Sequence, residues 1–255
     1  MKLHDVFHIK NLLYYALEYG PVDLDQLIFR HSDQKLNPAD AKHIPVVLDQ
    51  KHIKCIMRQI FEGLGYLHSN WIMHRDLKPG NMVITSTGVI KIIDFNSAKI
   101  YGSPNRNHSK QITTICYRSP EQLFSSKFYG PSTDIWSAGC IFGELFLRSH
   151  MFPGEGQIDQ LGKIFAIRGT PSSQNWLEAK ELPDYMEFTK TNPKPIATLL
   201  PMTSPEAQKL IDWCLQLDPN QRPTAQEALN HPYFTKEEPA ACEPAELPIH
   251  NILDS

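Results

Sequence analysis

Apolar positions along this chain fall into distinct rhythms. From Gln50 they recur with a helical period: Ile53, Ile56, Met57, Ile60, Leu64 and Leu67 share one face, predicting a long amphipathic helix. Leu12 to Glu18 is instead a short, nearly continuous apolar run closed by Gly20-Pro21, which predicts a buried strand. Met82-Val83-Ile84 and Val89 to Ile93 flank a Ser86-Thr87-Gly88 turn and predict a β-hairpin. Beyond Tyr129 the helical period dominates. Ser132 is the candidate N-cap of an apolar helix through Leu147. Ile158, Leu161, Ile164 and Phe165 mark a second helix that Gly169 would stop. Ser204-Pro205-Glu206 opens a third, with proline at the first helical position. Thr224 and Glu227 form a capping box for a fourth, which Pro232 would end. The polar stretch from Arg30 to Leu48 reads as an inserted loop, and the Pro/Glu-rich tail from Glu237 as an extended segment. The pattern describes a helical domain with one hairpin near its amino end.

Composition narrows the classes. With 255 residues, 41% hydrophobic and 21% charged, the chain has material for a substantial core and does not read as disordered. Its 25 Lys+Arg against 28 Asp+Glu give a net charge of −3, which argues against nonspecific nucleic-acid binding. Five scattered cysteines without a C-x-x-C pair suit a reducing compartment and neither a disulfide framework nor a zinc site. The most apolar segment, Ile135 to Leu147, is too short to cross a bilayer and carries Glu144. No apolar stretch of signal-peptide length opens the chain, so the expectation is cytoplasm or nucleus.

The densest polar cluster is His74-Arg75-Asp76-Leu77-Lys78-Pro79-Gly80-Asn81, followed after the hairpin by Asp94-Phe95-Asn96. A loop with Asp76, Lys78 and Asn81 beside a strand end with Asp94 gathers two carboxylates, an amide oxygen and an ammonium. Asn81 and Asp94 offer hard oxygen ligands of the kind Mg²⁺ takes together with phosphate oxygens. Lys78 can neutralise a phosphoryl group in transfer, and Asp76 can orient a hydroxyl and accept its proton.

This stretch resembles the H-R-D-L-x-x-x-N catalytic loop of eukaryotic protein kinases, with Asp94-Phe95-Asn96 standing where that family has D-F-G. Further matches follow in order. Tyr117-Arg118-Ser119-Pro120-Glu121 is similar to the family's A-P-E segment, Asp134-Ile135-Trp136 to the start of its central buried helix, and Arg222 to the arginine that pairs with the A-P-E glutamate. For Glu121, Asp134 and Arg222 the resemblance implies structural roles. Gly139 to Leu145, Phe152-Pro153-Gly154 and Gly169-Thr170-Pro171 resemble the cyclin-dependent branch. Trp71-Ile72-Met73, Gly102 to Arg106 and Leu182 to Tyr185 are most similar to the kinase that activates other cyclin-dependent kinases and serves transcription factor IIH.

The resemblance implies an α+β kinase-like fold, mainly the helical large lobe. Residues 1–20 would be a remnant of the small lobe and hinge. Residues 21–235 would be the large lobe, with an insert at about 31–48 and an activation segment at 94–121, and 236–255 the tail. It implies ATP and Mg²⁺ as cofactors, with Asp76, Lys78, Asn81 and Thr114 catalytic and Asn81 and Asp94 holding the metal. Leu17, Glu18 and Gly20, with Lys78, Asn81 and Asp94, would bind the nucleotide. Ser109 and Ser103 match phosphate-acceptor positions, with Arg75 and Lys99 as their cationic partners. Implied partners are a cyclin of the H type and an assembly factor. Implied substrates are cyclin-dependent kinases and the RNA polymerase II tail, phosphorylated before proline, and the implied location is the nucleus, with the cytoplasm as an additional one.

Two departures shape the expectation. Upstream of the hinge there is no glycine-rich phosphate loop, no V-A-I-K lysine and no helix with its glutamate partner, which the kinase template requires. Asn96 replaces the D-F-G glycine, a position expected to favour positive φ, which asparagine tolerates best among other residues. A catalytically inactive kinase-like binding module therefore stands as the alternative to a Ser/Thr kinase, with a small-molecule phosphotransferase third.

Overall fold

The computed structural model describes residues 1–29, 47–102 and 115–249. β1 (Leu3–Ile9) and β2 (Leu12–Leu17) form an antiparallel hairpin. Its two-residue connection, Lys10-Asn11, has φ of 46° and 65°, as a type I′ turn requires. The expected single buried strand is thus one arm of a second hairpin, and it is not buried: only Ala16 of β2 is half covered. Side chains alternate between two faces, and among the described residues no second layer covers either.

β3 (Val22–Asp23) runs directly into α1 (Leu24–Phe29). α2 (Gln50–Ser69) begins one residue after its cap, Asp49, whose carboxylate accepts from His52 N at 3.1 Å. His52 Nδ1 in return accepts from Asp49 N at 3.3 Å, so histidine plays the part glutamate usually takes in a capping box. Ile53, Ile56, Met57, Ile60, Leu64 and Leu67 are all buried, as their period requires. After α2, β4 (Ile72–Met73) leads into the polar loop, and β5 (Met82–Ile84) and β6 (Ile90–Ile92) form the expected hairpin. β3 adds to its edge, pairing Val22 with Ile84 and Asp23 with Val83, while β7 (Lys99–Ile100) pairs with β4.

The remainder is helical: α3 (Pro120–Leu123), α4 (Ser132–Leu147), α5 (Gln157–Arg168), α6 (Ile196–Leu199), α7 (Pro205–Cys214), α8 (Ala225–Leu229) and α9 (Pro232–Thr235). α4 is the axis, buried at every position from Thr133 to Leu145. Its cap position is Pro131 and not Ser132, because Pro131 already has helical φ and Thr133 N bonds back to Gly130 O. In α5 the buried face runs through Gln160, Leu161, Ile164 and Phe165, leaving Ile158 60% exposed. Gly169 ends this helix at φ 76°, where a Cβ would come within 2.9 Å of Pro193.

Pro232 starts α9 at its first turn and does not simply end α8, since its missing N–H falls where no helical bond is needed. The tail also differs from the extended segment expected. Lys54 Nζ donates to Glu237 O at 2.7 Å and Pro239 O at 2.8 Å, and Leu247 and Ile249 are buried in the core.

Candidate active site

The polar loop hangs from one buried carboxylate. Asp134, fully enclosed near the start of α4, accepts from His74 N at 2.9 Å and Arg75 N at 2.8 Å, and its Oδ2 lies 3.0 Å from His68 Nε2. These bonds fix the turn in which Arg75 adopts φ 71°, a conformation a non-glycine residue needs support to hold. Beyond it, Asp76 meets Lys78, whose Nζ donates to Asp76 Oδ2 at 3.4 Å. Asn81 Nδ2 donates to Asp76 O at 2.8 Å and to Asp76 Oδ2 at 3.3 Å. The amide nitrogen is thereby committed, and the amide oxygen is the atom available to a cation.

Register brings Asp94 to the same place. Met82 pairs with Ile92, and Ile93 N donates to Asn81 O at 2.9 Å, so the residue after Ile93 emerges beside Asn81. Asp94 is exposed and left-handed, with φ 62° and ψ 69°. The backbone reversal expected at Asn96 is taken here, and Asn96 itself sits in a 3₁₀ turn, Phe95–Ser97, without positive φ. Phe95 packs edge-on against His74, with centroids 5.1 Å apart, and His74 Nε2 lies 2.9 Å from Ile93 O. This aromatic contact ties the loop after β4 to the turn after β6 and carried no sequence signal beyond the residue types.

Two oxygens, from Asn81 and Asp94, suit a hard divalent cation that completes its shell with phosphate and water. Among the described residues no group of three His, Cys, Asp or Glu gathers to hold a metal by itself, so this donor set fits Mg²⁺ with a phosphate-bearing ligand and not a closed structural site.

The hinge positions reach the same end of the sheet through β3. At Gly20 an added Cβ would lie 2.7 Å from Val83 Cβ, so the chain passes directly over β5. Val83 is consequently a candidate site residue that its place in an alternating strand did not single out. Glu18 N donates to Lys2 O at 2.8 Å. The Glu18 carboxyl is held below its ordinary range by the Lys2 backbone bond, assisted by Lys91. Leu17 is half exposed at the strand end.

Arg75, 8% exposed, spends its guanidinium on Ser97 O at 2.6 Å and on the Tyr129 hydroxyl at 2.8 Å. Lys99 lies in β7 opposite Met73. Ser103, Ser109 and Thr114, and most of the insert, lie outside the described residues. Arg118 lies close enough to Asp76 for the carboxylate to oppose the lowering of its pKa by burial. Glu121 and Arg222 form a bidentate pair with both bonds at 2.7 Å. Arg222 also donates to Gln216 O, Leu217 O and Ser132 O and stacks over Trp136 at 5.0 Å.

A buried aspartate suspending an Asp-x-Lys-x-x-Asn loop beside a D-F motif defines a phosphotransfer scaffold, and the chain belongs to the protein kinase domain family, whose model matches residues 1–234. Within that family it is similar to cyclin-dependent kinases. It is 42% identical to "Cyclin-dependent kinase 7" of Dictyostelium discoideum, over 98% of this chain and 65% of the relative. It is 41% identical to "Cyclin-dependent kinase D-1" of Oryza sativa subsp. indica, over 97% of this chain and 55% of the relative. The chain thus spans between about half and two thirds of the length of these curated relatives. A solved structure of the CAK complex from Chaetomium thermophilum bound to ATP-gamma-S superposes with a TM-score of 0.85 at 32% identity, covering 96% of this chain and 74% of that one.

Proposed function

We propose that the protein is an ATP-dependent serine/threonine kinase of the cyclin-dependent type. The observation that carries this reading is the convergence of Asp76, Lys78, Asn81 and Asp94 on one end of the β3–β5–β6 sheet. Asp76 orients the substrate hydroxyl and accepts its proton, while Lys78, 3.4 Å away, offsets charge on the transferring phosphoryl group. Asn81 and Asp94 would hold Mg²⁺, which supplies charge neutralisation on the nucleotide phosphates. Gly20, with the Glu18 carbonyl beside it, receives the adenine over Val83. The family resemblance assigns Thr114 a role beside Asp76 and Lys78, and phosphates on Ser109 and Ser103 would call on Arg75 and Lys99 as their cationic partners. Similarity to the cyclin-dependent relatives and to the CAK structure supports a cyclin partner and protein substrates; an assembly factor, proline-directed substrates among other cyclin-dependent kinases and the RNA polymerase II tail, and a nuclear location complete the proposal.

Transfer of labelled phosphate from ATP to a Ser-Pro peptide tests this, with and without a cyclin. Asp76→Asn should abolish transfer while leaving the fold intact. A wild-type rate equal to that of Asp76→Asn under every partner condition would refute it. A second reading, a kinase-fold binding module, is favoured by the exposed apolar hairpin (Leu13 54%, Tyr15 59%) and by Asn96 in the D-F-G position. It expects partner binding without transfer.

A further inference from the structure

One buried titratable group has no part in this chemistry. Glu144, in the last turn of α4, has no exposed surface. Tyr117 OH donates to its Oε2 at 2.9 Å, Met151 N donates to Oε1 at 3.2 Å, and His150 Nδ1 lies 3.0 Å from Oε1 and 3.5 Å from the Tyr117 oxygen. A carboxylate in so dry a site tends to take a proton unless a cation is near. Burial does push Glu144 up, and the hydrogen bond and charge of His150 pull it back. The same contact raises His150 above the ordinary histidine range. With 42% of its side chain exposed, His150 exchanges protons with solvent.

The other groups around the pair are few. On α1, Asp25 faces His150 and is itself raised by burial and by Asp23, while the Phe29 ring lies 4.7 Å from the imidazole. Cys116 and Cys140 face Glu144, and burial holds both as thiols. Tyr117 is likewise held protonated by burial and by Glu144.

Tyr117 links this cluster to the reaction. The segment it belongs to is pinned at three points. Ser137 Oγ donates to Tyr117 O at 2.8 Å, Gln160 Nε2 donates to Cys116 O at 3.2 Å, and the Tyr117 hydroxyl rests on Glu144. The first two pins are neutral and indifferent to pH. The third depends on the charge of Glu144. Arg118, the next residue, lies close to the Asp76 carboxylate.

We infer that His150 is a positioning residue for phosphotransfer: its proton, held against Glu144, keeps Tyr117 and the segment 115–121 in place beside Asp76. Once that proton leaves, the Glu144 carboxylate keeps its hydrogen bonds but loses its compensating charge in a dry site, so the closed arrangement that holds Tyr117 is destabilised and opens more often. The consequence for turnover rests on the kinase reading above; the latch itself does not.

The test has one arm for each. Native-state hydrogen exchange reads the protection of the Tyr117 and Arg118 amides from about pH 6 to pH 9. In the wild type, protection should fall severalfold as pH rises, while α2 amides hold theirs. His150→Gln, whose amide gives Glu144 a neutral partner, should remove this dependence, and Tyr117→Phe should lower protection at every pH with α2 unchanged. In the second arm the KM for a Ser-Pro peptide should rise over the same range, with kcat and the KM for ATP steady, and His150→Gln should flatten it. A His150→Gln protein that keeps the wild-type pH dependence of protection, or a wild type without one, overturns the proposal. Absent turnover with the exchange arm as expected would overturn the kinase reading and leave the latch standing.

Discussion

At the scale of single residues, the largest energies sit in buried charges whose partners are fixed. Arg222 and Glu121 are 6% and 2% exposed, so removing either leaves the other uncompensated in a low-dielectric site. Arg222→Met should cost about 3–5 kcal/mol in urea unfolding, and adding Glu121→Leu should recover part of that loss. His150 and Glu144 set the pH response. Both are raised above their ordinary values, so between those values and the raised ones the folded state binds more protons than the unfolded state. Their contribution is complete below the ordinary pKa and is lost as pH climbs through the raised one. Melting temperature should accordingly decline from about pH 6 toward pH 9 more steeply in the wild type than in His150→Gln.

At the scale of elements, the tail and the first hairpin behave oppositely. The segment after α9 is bound to α2 through Lys54, whose ammonium is fully buried and lies 4.7 Å from the centre of the Tyr233 ring. Burial lowers the Lys54 pKa, and Glu237 opposes the shift. Lys54→Met keeps most of the apolar stem but strips the donor from two carbonyls, at a cost of about 1–3 kcal/mol. Limited proteolysis should then cut the tail faster than in wild type, with no change at α4. Among the described residues the β1–β2 hairpin has no such buried anchor. Its turn chemistry is good, but an isolated hairpin is marginal in water, so its amides should exchange well before those of β5.

At the scale of the whole molecule, one apolar core runs from Val22 through α2 and α4 to Ile249. Among the described residues the hairpin contributes none of its side chains to it. Deleting residues 1–17 should therefore leave the main thermal transition within a few degrees of its wild-type midpoint, whereas a comparable loss from the tail, which buries Leu247 and Ile249, should lower it clearly. Calorimetry of the two truncations separates these outcomes.

Much of this was legible in the residues. The α2 face, the caps at Ser204 and Thr224, the β5–β6 hairpin and the loop from His74 to Asn81 follow from local periodicity, cap chemistry and motif spacing, which act within a few residues of chain. Ser132, Pro232 and Asn96 were misread because helix starts and backbone reversals depend on which neighbouring N–H or carbonyl is already engaged. The sequence by itself determined the family, the candidate phosphotransfer residues and the helical character of the larger part. Tertiary structure alone decided that Leu12–Leu17 is exposed, that the tail is held by a buried lysine, and that His150, Glu144 and Tyr117 meet. Such facts depend on which surfaces come together across more than twenty residues of chain, and no local pattern encodes that.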